Sequence, residues 1–302
     1  MKELFKRLLA RFGLYLTKGY KVYFFSNKKA VRRELYGRQV LMPRAHSICY
    51  NLARFPHYNS NLQRLVREYQ QYRPGEFSII DVGANIGDTL LMLRQVTGHM
   101  VHCFEGDPFY FRLLEANSSG VGSCALHPVL LSDKPATLRV RSHISLGTSE
   151  FKQDLSGDPA EFSSIDVFAA RHFPGERIGI IKSDTDGFDL RIIRGAAEIL
   201  QAHQPVLFLE YDRGLFEKNG DEGLDFLEFL AGLGYDGILF YDNFGKLVCA
   251  TTLREKATIR SLHNYIKDQR FSFPFYDLAV VPARDRAFFE TFTAGELEYF
   301  GR

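Results

Sequence analysis

The chain has 302 residues, 45% of them hydrophobic and 25% charged, with a formal net charge of +2. This is the composition of a globular chain forming one large domain or two small ones, and a charge so near zero argues against nucleic acid as the main partner. The four cysteines, Cys49, Cys103, Cys124 and Cys249, form no C-x-x-C pair, which speaks against a zinc or disulfide framework and for a reducing cytoplasm.

No apolar run approaches the roughly 20 residues of a membrane span, and no leader sequence is evident. Residues 1–25 alternate Leu4, Phe5, Leu8, Leu9 and Phe12 with Lys2, Lys6, Arg7 and Arg11. This pattern reads as an amphipathic helix, packed on its own domain or a partner subunit, or lying on the anionic inner face of a membrane. Residues 26–75 also read as helical. Asn59, Ser60 and Asn61 are placed to cap a helix over 62–72, which Pro74 and Gly75 stop. A block in this position is expected to cap a substrate pocket, with His46, Tyr50, His57 and Tyr58 as candidate contacts.

An apolar run from Ser78 to Val82 reads as a buried strand. It breaks at Gly83 and Gly87 and restarts as a helix with Leu90, Leu93 and Val96 at helical spacing. A strand, a glycine turn and a helix N-terminus let a nucleotide-like ligand approach the backbone closely. The turn is no G-x-G-x-x-G, because Asn85 and Asp88 stand at the third and sixth positions. It is no Walker loop, because no lysine follows Gly87. What remains is acid-x-Gly-x-Asn-x-Gly, from Asp81 to Gly87. Glu105 closes the next strand (99–105), 24 residues after Asp81, where nucleotide-binding α/β folds place an acid for ribose hydroxyls.

Asp107 and Pro108 then start a helix, and 125–131 reads as a third strand, followed by Ser132 and Asp133. Residues 136–141 read as an antiparallel excursion and 142–157 as a polar loop that faces substrate. Residues 178–184 form the fourth strand and 205–210 the fifth, with a helix over 188–201 between them. Two further strands (238–241, 247–251), a last one (276–281) and a C-terminal helix complete the chain. Strands alternating with helices define an α/β fold around a mostly parallel, seven-stranded sheet.

With these pieces in order, the chain resembles the FkbM family of S-adenosylmethionine (SAM)-dependent methyltransferases. The match runs through IIDVGANIGD (79–88), CFEGDP (103–108), IIKSDTDGFDLRIIRGA (180–196) and PVLFLEYD (205–212). The resemblance implies a Rossmann-like class I methyltransferase domain over 76–285, between a helical N-terminal extension (1–75) and a C-terminal helix (286–302). It implies SAM held by Asp81, Gly83, Asn85, Gly87 and Glu105, with Ser132 or Asp133 beside the adenine. It also implies methylation of a hydroxyl on a sugar, glycan or secondary metabolite. Lys182, Asp184, Asp186 and Glu210 are the candidate catalytic residues. Asp184 and Glu210 are expected either to hold Mg²⁺ or Mn²⁺ or to work without metal, Asp184 or Asp186 taking the hydroxyl proton. A structural reading also stands, in which Lys182 pairs with a neighbouring carboxylate and Asp186 caps the following helix. The rival functions are a nucleotide-dependent oxidoreductase and an inactive scaffold of the same fold.

Overall fold

The computed structural model describes residues 14–16, 22–24, 30–145, 148–153, 156–268 and 275–301. Its main sheet is built from β1 (Ser78–Val82), β2 (Val101–Phe104), β3 (Cys124–His127), β4 (Ile178–Ser183), β5 (Val206–Tyr211), β6 (Tyr235–Asp242), β7 (Leu247–Thr252) and β8 (Tyr276–Pro282). The order is β7-β6-β8-β5-β4-β1-β2-β3. β3, β2, β1, β4 and β5 pair in parallel. β8 runs antiparallel between β5 and β6, and β7 adds an antiparallel edge, so there are eight strands rather than seven.

β1 and β4 are buried along their whole length because helices cover both faces of the sheet. Alternate side chains enter different cores. Ile80, Ile181 and Leu207 pack with helices Ile165–His172, Ala197–His203 and Gly223–Gly232. Ile79, Ile180 and Val206 pack with helices Ser60–Tyr72, Asp88–Leu93 and Arg286–Gly301. The chain leaves β1 toward β2 and returns to β4 on the other side. A crevice therefore opens at the carboxyl ends of β1 and β4, where strand order reverses.

The N-terminal extension is not all helical. Ala30–Leu35 and Arg38–Pro43 form an antiparallel hairpin, followed by helices Ile48–Arg54 and Ser60–Tyr72. Tyr36 and Gly37 both take positive φ, the two-residue turn that matches strand twist. Tyrosine in that turn is why the sequence did not announce it. Leu14–Leu16 and Val22–Phe24 also pair as short antiparallel strands, so the helix expected over 1–25 does not run through them. Residues 1–13 lie outside the described residues. Near 142–157, much of the expected loop is strand: Ala136–Ser145 pairs with Thr148–Gln153 and with Asp158–Ser163. The helix expected over 188–201 is broken at Gly195 into Asp189–Arg194 and Ala197–His203. No helix among the described residues is long and apolar enough to cross a membrane.

One buried side chain ties the hairpin to the domain at three main-chain points. Leu35, Val40 and Met42 pack on Ile86, Leu91 and Tyr110. At their edge Asn117 Oδ1 accepts from Leu41 N (2.7 Å), and its Nδ2 donates to Leu41 O and Ile86 O, both at 2.8 Å. Asn117 is buried, so Asn117→Leu leaves three main-chain groups without this partner. We expect a loss on the order of 1–3 kcal/mol in urea unfolding, the penalty of stranded buried polar groups. A neutral result would show that the hairpin is held by packing alone.

Candidate active site

The carboxyl end of β1 is fixed by charge. Asp81 is fully buried, and Lys182 lies opposite it in register on β4, with Nζ 3.0 Å from Asp81 Oδ1. The same ammonium donates to Val82 O (3.3 Å) and Gly83 O (3.4 Å), and stands 3.9 Å from Asp184 Oδ2. Burial pulls the Lys182 pKa down, but the charges of Asp81 and Asp184 outweigh it and hold the pKa above its ordinary value. Burial drives the Asp81 carboxyl upward, against the pull of Lys182. This is the pairing the structural reading expected for Lys182, and it makes Lys182 a positioning residue.

The glycine turn follows directly. Gly83 has φ +76°, and a Cβ there would collide with the backbone oxygen of Asp184. Asn85 also adopts a left-handed backbone (φ +49°). Its N–H donates to Glu105 Oε2 (2.8 Å), and Asp107 N donates to Glu105 Oε1 (2.7 Å). Glu105 thus ties the turn after β1 to the turn after β2. Burial raises its pKa to about 7 despite both bonds. His46, from the extension, accepts from Ile48 N on Nδ1 (3.2 Å), leaving Nε2 to donate to Asn85 Oδ1 (3.3 Å). Burial lowers its pKa to about 4, so it adds no charge near neutrality.

Two residues beyond Lys182 and beyond its register partner Phe208 stand Asp184 and Glu210. Asp184, Asp186, Glu210 and Asp277 line one cleft with Gly83, Asn85, Glu105 and Lys182. Asp184 is 57% exposed. Glu210 is raised well above the usual carboxylate range by burial and by Asp184, Asp186 and Asp189, and its Oε2 is buried without a hydrogen-bond partner among the described residues. Asp277 is raised to about 7 by burial. Asp186 does not cap the following helix: it takes φ +52°, and the helix begins at Asp189, which accepts from Ser183 Oγ (2.6 Å) and Gly187 N (3.3 Å). His46 and Tyr58 reach the cleft as expected. Tyr50 points to solvent, and His57 bonds Tyr299 instead.

Gly87, Ser132 and Asp133, three of the expected cofactor residues, stand outside the cleft lining. Gly87 lies outside the cleft lining and shapes the turn from behind, against Leu114. Ser132 and Asp133 do not face the cleft: Ser132 N donates to Ser163 O (2.8 Å), and its Oγ turns to Asp133 Oδ1 (3.1 Å). β3 ends at His127, four residues earlier than expected, so Val129, Leu130 and Leu131 line that wall with Phe162. The metal reading finds no support: among the described residues no three His, Cys, Asp or Glu side chains converge as a metal site. The sequence reading missed Asp277 and Asn61. Asn61 Nδ2 donates to Asp277 Oδ2 (3.2 Å), and only the antiparallel course of β8 brings Asp277 to this edge.

The sheet order and the acid-glycine crevice define a class I methyltransferase fold. The model of the methyltransferase FkbM domain matches residues 81–236, just over half of the chain, and the chain belongs to that family. Solved structures with a similar fold include the FkbM methyltransferase of Methylobacillus flagellatus KT. It is 17% identical, with 61% of this chain and 47% of that one covered and a TM-score of 0.42, so the chain spans about half its length. TYW2 of M. jannaschii, solved in complex with AdoMet, is 10% identical over 89% of this chain and 92% of that one, with a TM-score of 0.40. A TehB-like SAM-dependent methyltransferase of Corynebacterium glutamicum is 14% identical over 74% and 87%, with a TM-score of 0.37. No curated protein matches the chain.

The Asp81–Lys182 pair gives a test of sign as well as size. Lys182→Met strands a buried carboxylate, at a cost of about 3–5 kcal/mol. A carboxyl whose folded pKa stands above its unfolded value (about 3.9) loses stability as pH rises through the folded value. The gap between Lys182→Met and wild type should therefore be widest at pH 8 and narrow toward pH 5 in urea unfolding. A gap independent of pH would show that packing of the lysine stem, not charge, does the work.

Proposed function

We propose that the protein is a SAM-dependent O-methyltransferase that acts on a hydroxyl of a sugar, a glycan or a secondary metabolite. The observation that carries this reading is the left-handed turn at Gly83 and Asn85, bonded to the buried Glu105 inside an acid-lined cleft. SAM brings a methyl group already activated on a sulfonium, so the chain has only to align, desolvate and deprotonate the acceptor. Glu105 keeps lone pairs beyond its two backbone bonds, enough to accept from ribose hydroxyls. The cleft's excess of carboxyls over the one ammonium of Lys182 favours a ligand with a cationic sulfonium and amino group.

The same charge argues against the oxidoreductase reading, because among the described residues the pyrophosphate of a dinucleotide would meet acids and no cation but the paired Lys182. It also argues against an anionic acceptor. The apolar wall from Val129 to Leu131 and Phe162 suits the adenine face. The acceptor needs a base, and the acids gathered at this edge can supply one. A metal is not part of the proposal, and neither a scaffold role nor membrane contact through residues 1–25 has a described feature in its favour.

Calorimetry should show binding of SAM and of its demethylated product, and none of NADH. Glu105→Ala should weaken SAM binding by about 1.5–3 kcal/mol, the range for hydrogen bonds to a charged group. Cells with the gene should make a glycan or metabolite heavier by one methylene than cells without it, and EDTA should leave the transfer intact in lysate. Binding of NADH in place of SAM would overturn the reading.

A further inference from the structure

We infer that Asp277 takes the acceptor's hydroxyl proton, held in place by Asn61 of the extension and flanked by Glu210; this rests on the methyl-transfer reading above. Asp277 is the second residue of β8, which enters the sheet at the edge where the parallel strands end. Its register partner on β5 is Glu210. Directly opposed residues of an antiparallel pair project from one face, with Cβ atoms about 4.5–5.5 Å apart. Both line the cleft beside Lys182 and Gly83.

Several other carboxyls at this edge are committed or exposed. Asp81 is closed against Lys182, Glu105 holds two backbone N–H groups, and Asp189 holds Ser183 and Gly187. Asp184 is largely in solvent. Asp277 is inside, and one described bond engages it, the 3.2 Å contact from Asn61 Nδ2. Asn61 is 1% exposed, and its Oδ1 accepts from Leu62 N (3.0 Å), which fixes the amide with its NH₂ toward Asp277. The charged and titratable groups around Asp277 are Lys182 and Asp184 from β4, Glu210 from β5, Tyr241 and Asp242 from β6, and Tyr58 from the extension. Lys182 is the one cation among these, and it is shared with Asp81.

Two adjacent buried carboxyls do not both ionise readily. Burial first of all raises both: Glu210 well above the usual carboxylate range, and Asp277 to about 7, where it can act as a base near neutrality. In the step itself the acceptor O–H bond breaks and its proton passes to the Asp277 carboxylate. The oxygen's electron pair forms the C–O bond to the methyl group, and the donor's C–S bond breaks with its electrons kept on sulfur. Asp277 then returns the proton to water.

The test uses the full chain with Asp277→Asn and Asp277→Glu. SAM affinity by calorimetry should be the same in wild type and Asp277→Asn; no SAM binding by wild type would sink the methyl-transfer reading, and this inference with it. In gene-deleted cells, wild type should restore the methylated product seen by mass spectrometry. Asp277→Asn should lower it by about a hundredfold or more, the typical share of a general base, and Asp277→Glu should restore part of it. Melting separates this from a structural role. A carboxyl raised above its unfolded pKa destabilises the fold at high pH, so Asp277→Asn should melt above wild type at pH 8 and level with it near pH 4. A variant that keeps full methylation, or that melts below wild type at pH 8, overturns the assignment.

Discussion

The cleft depends on one buried ion pair. Asp81 and Lys182 face each other across β1 and β4 where the two strands part company. Buried pairs add little net stability, because desolvation nearly cancels their attraction. What this pair supplies is position. The lysine draws in the carbonyls of Val82 and Gly83, so the chain leaving β1 lies against Asp184 with no room for a Cβ at Gly83. Glu105 then binds the next stretch of the turn. Remove the lysine, and the acid beneath it is left buried without a counter-charge.

Around that pair the sheet edge gathers more carboxyls than a stable protein needs. Asp88 is raised to about 6, Glu105 and Asp277 to about 7, and Glu210 further, in each case first of all by burial. Groups held against their preferred ionisation state subtract from stability. Such local conflicts persist where surrounding structure over-determines them, and they cluster at functional sites. A cationic ligand in the cleft would relieve this one.

The sequence revealed the donor half of this site better than the acceptor half, for a physical reason. Asp81, Gly83, Asn85, Glu105, Lys182, Asp184 and Glu210 sit at the ends of short apolar runs in parallel strands. A parallel strand always delivers its carboxyl end to the same edge, so their convergence follows from local pattern alone. Asp277 lies at the start of its strand, and only knowing that β8 runs antiparallel puts it at that edge. Ser132 and Asp133 were misplaced because the apolar run past Pro128 continues as Leu130–Leu131, which pairs with a different sheet. The hairpin was missed because its burial alternates only weakly, with Leu35 its one buried residue before the turn.

The family match runs from residue 81 to 236, and the groups assigned to the acceptor lie on either side of it. His46, Tyr58 and Asn61 come before, and Asp277 after. These outer segments are held together independently of the matched region. Phe55 stacks on Phe244 at 3.9 Å, His57 meets Tyr299, and Arg64 pairs with Glu296 of the last helix. The matched domain thus carries the parts for holding a methyl donor, while the extension and the final strand close over it from outside. On the reading proposed above, a hydroxyl entering between them would meet Asn61, Tyr58 and Asp277, and the choice of acceptor would be written in residues 46–62 and at 277.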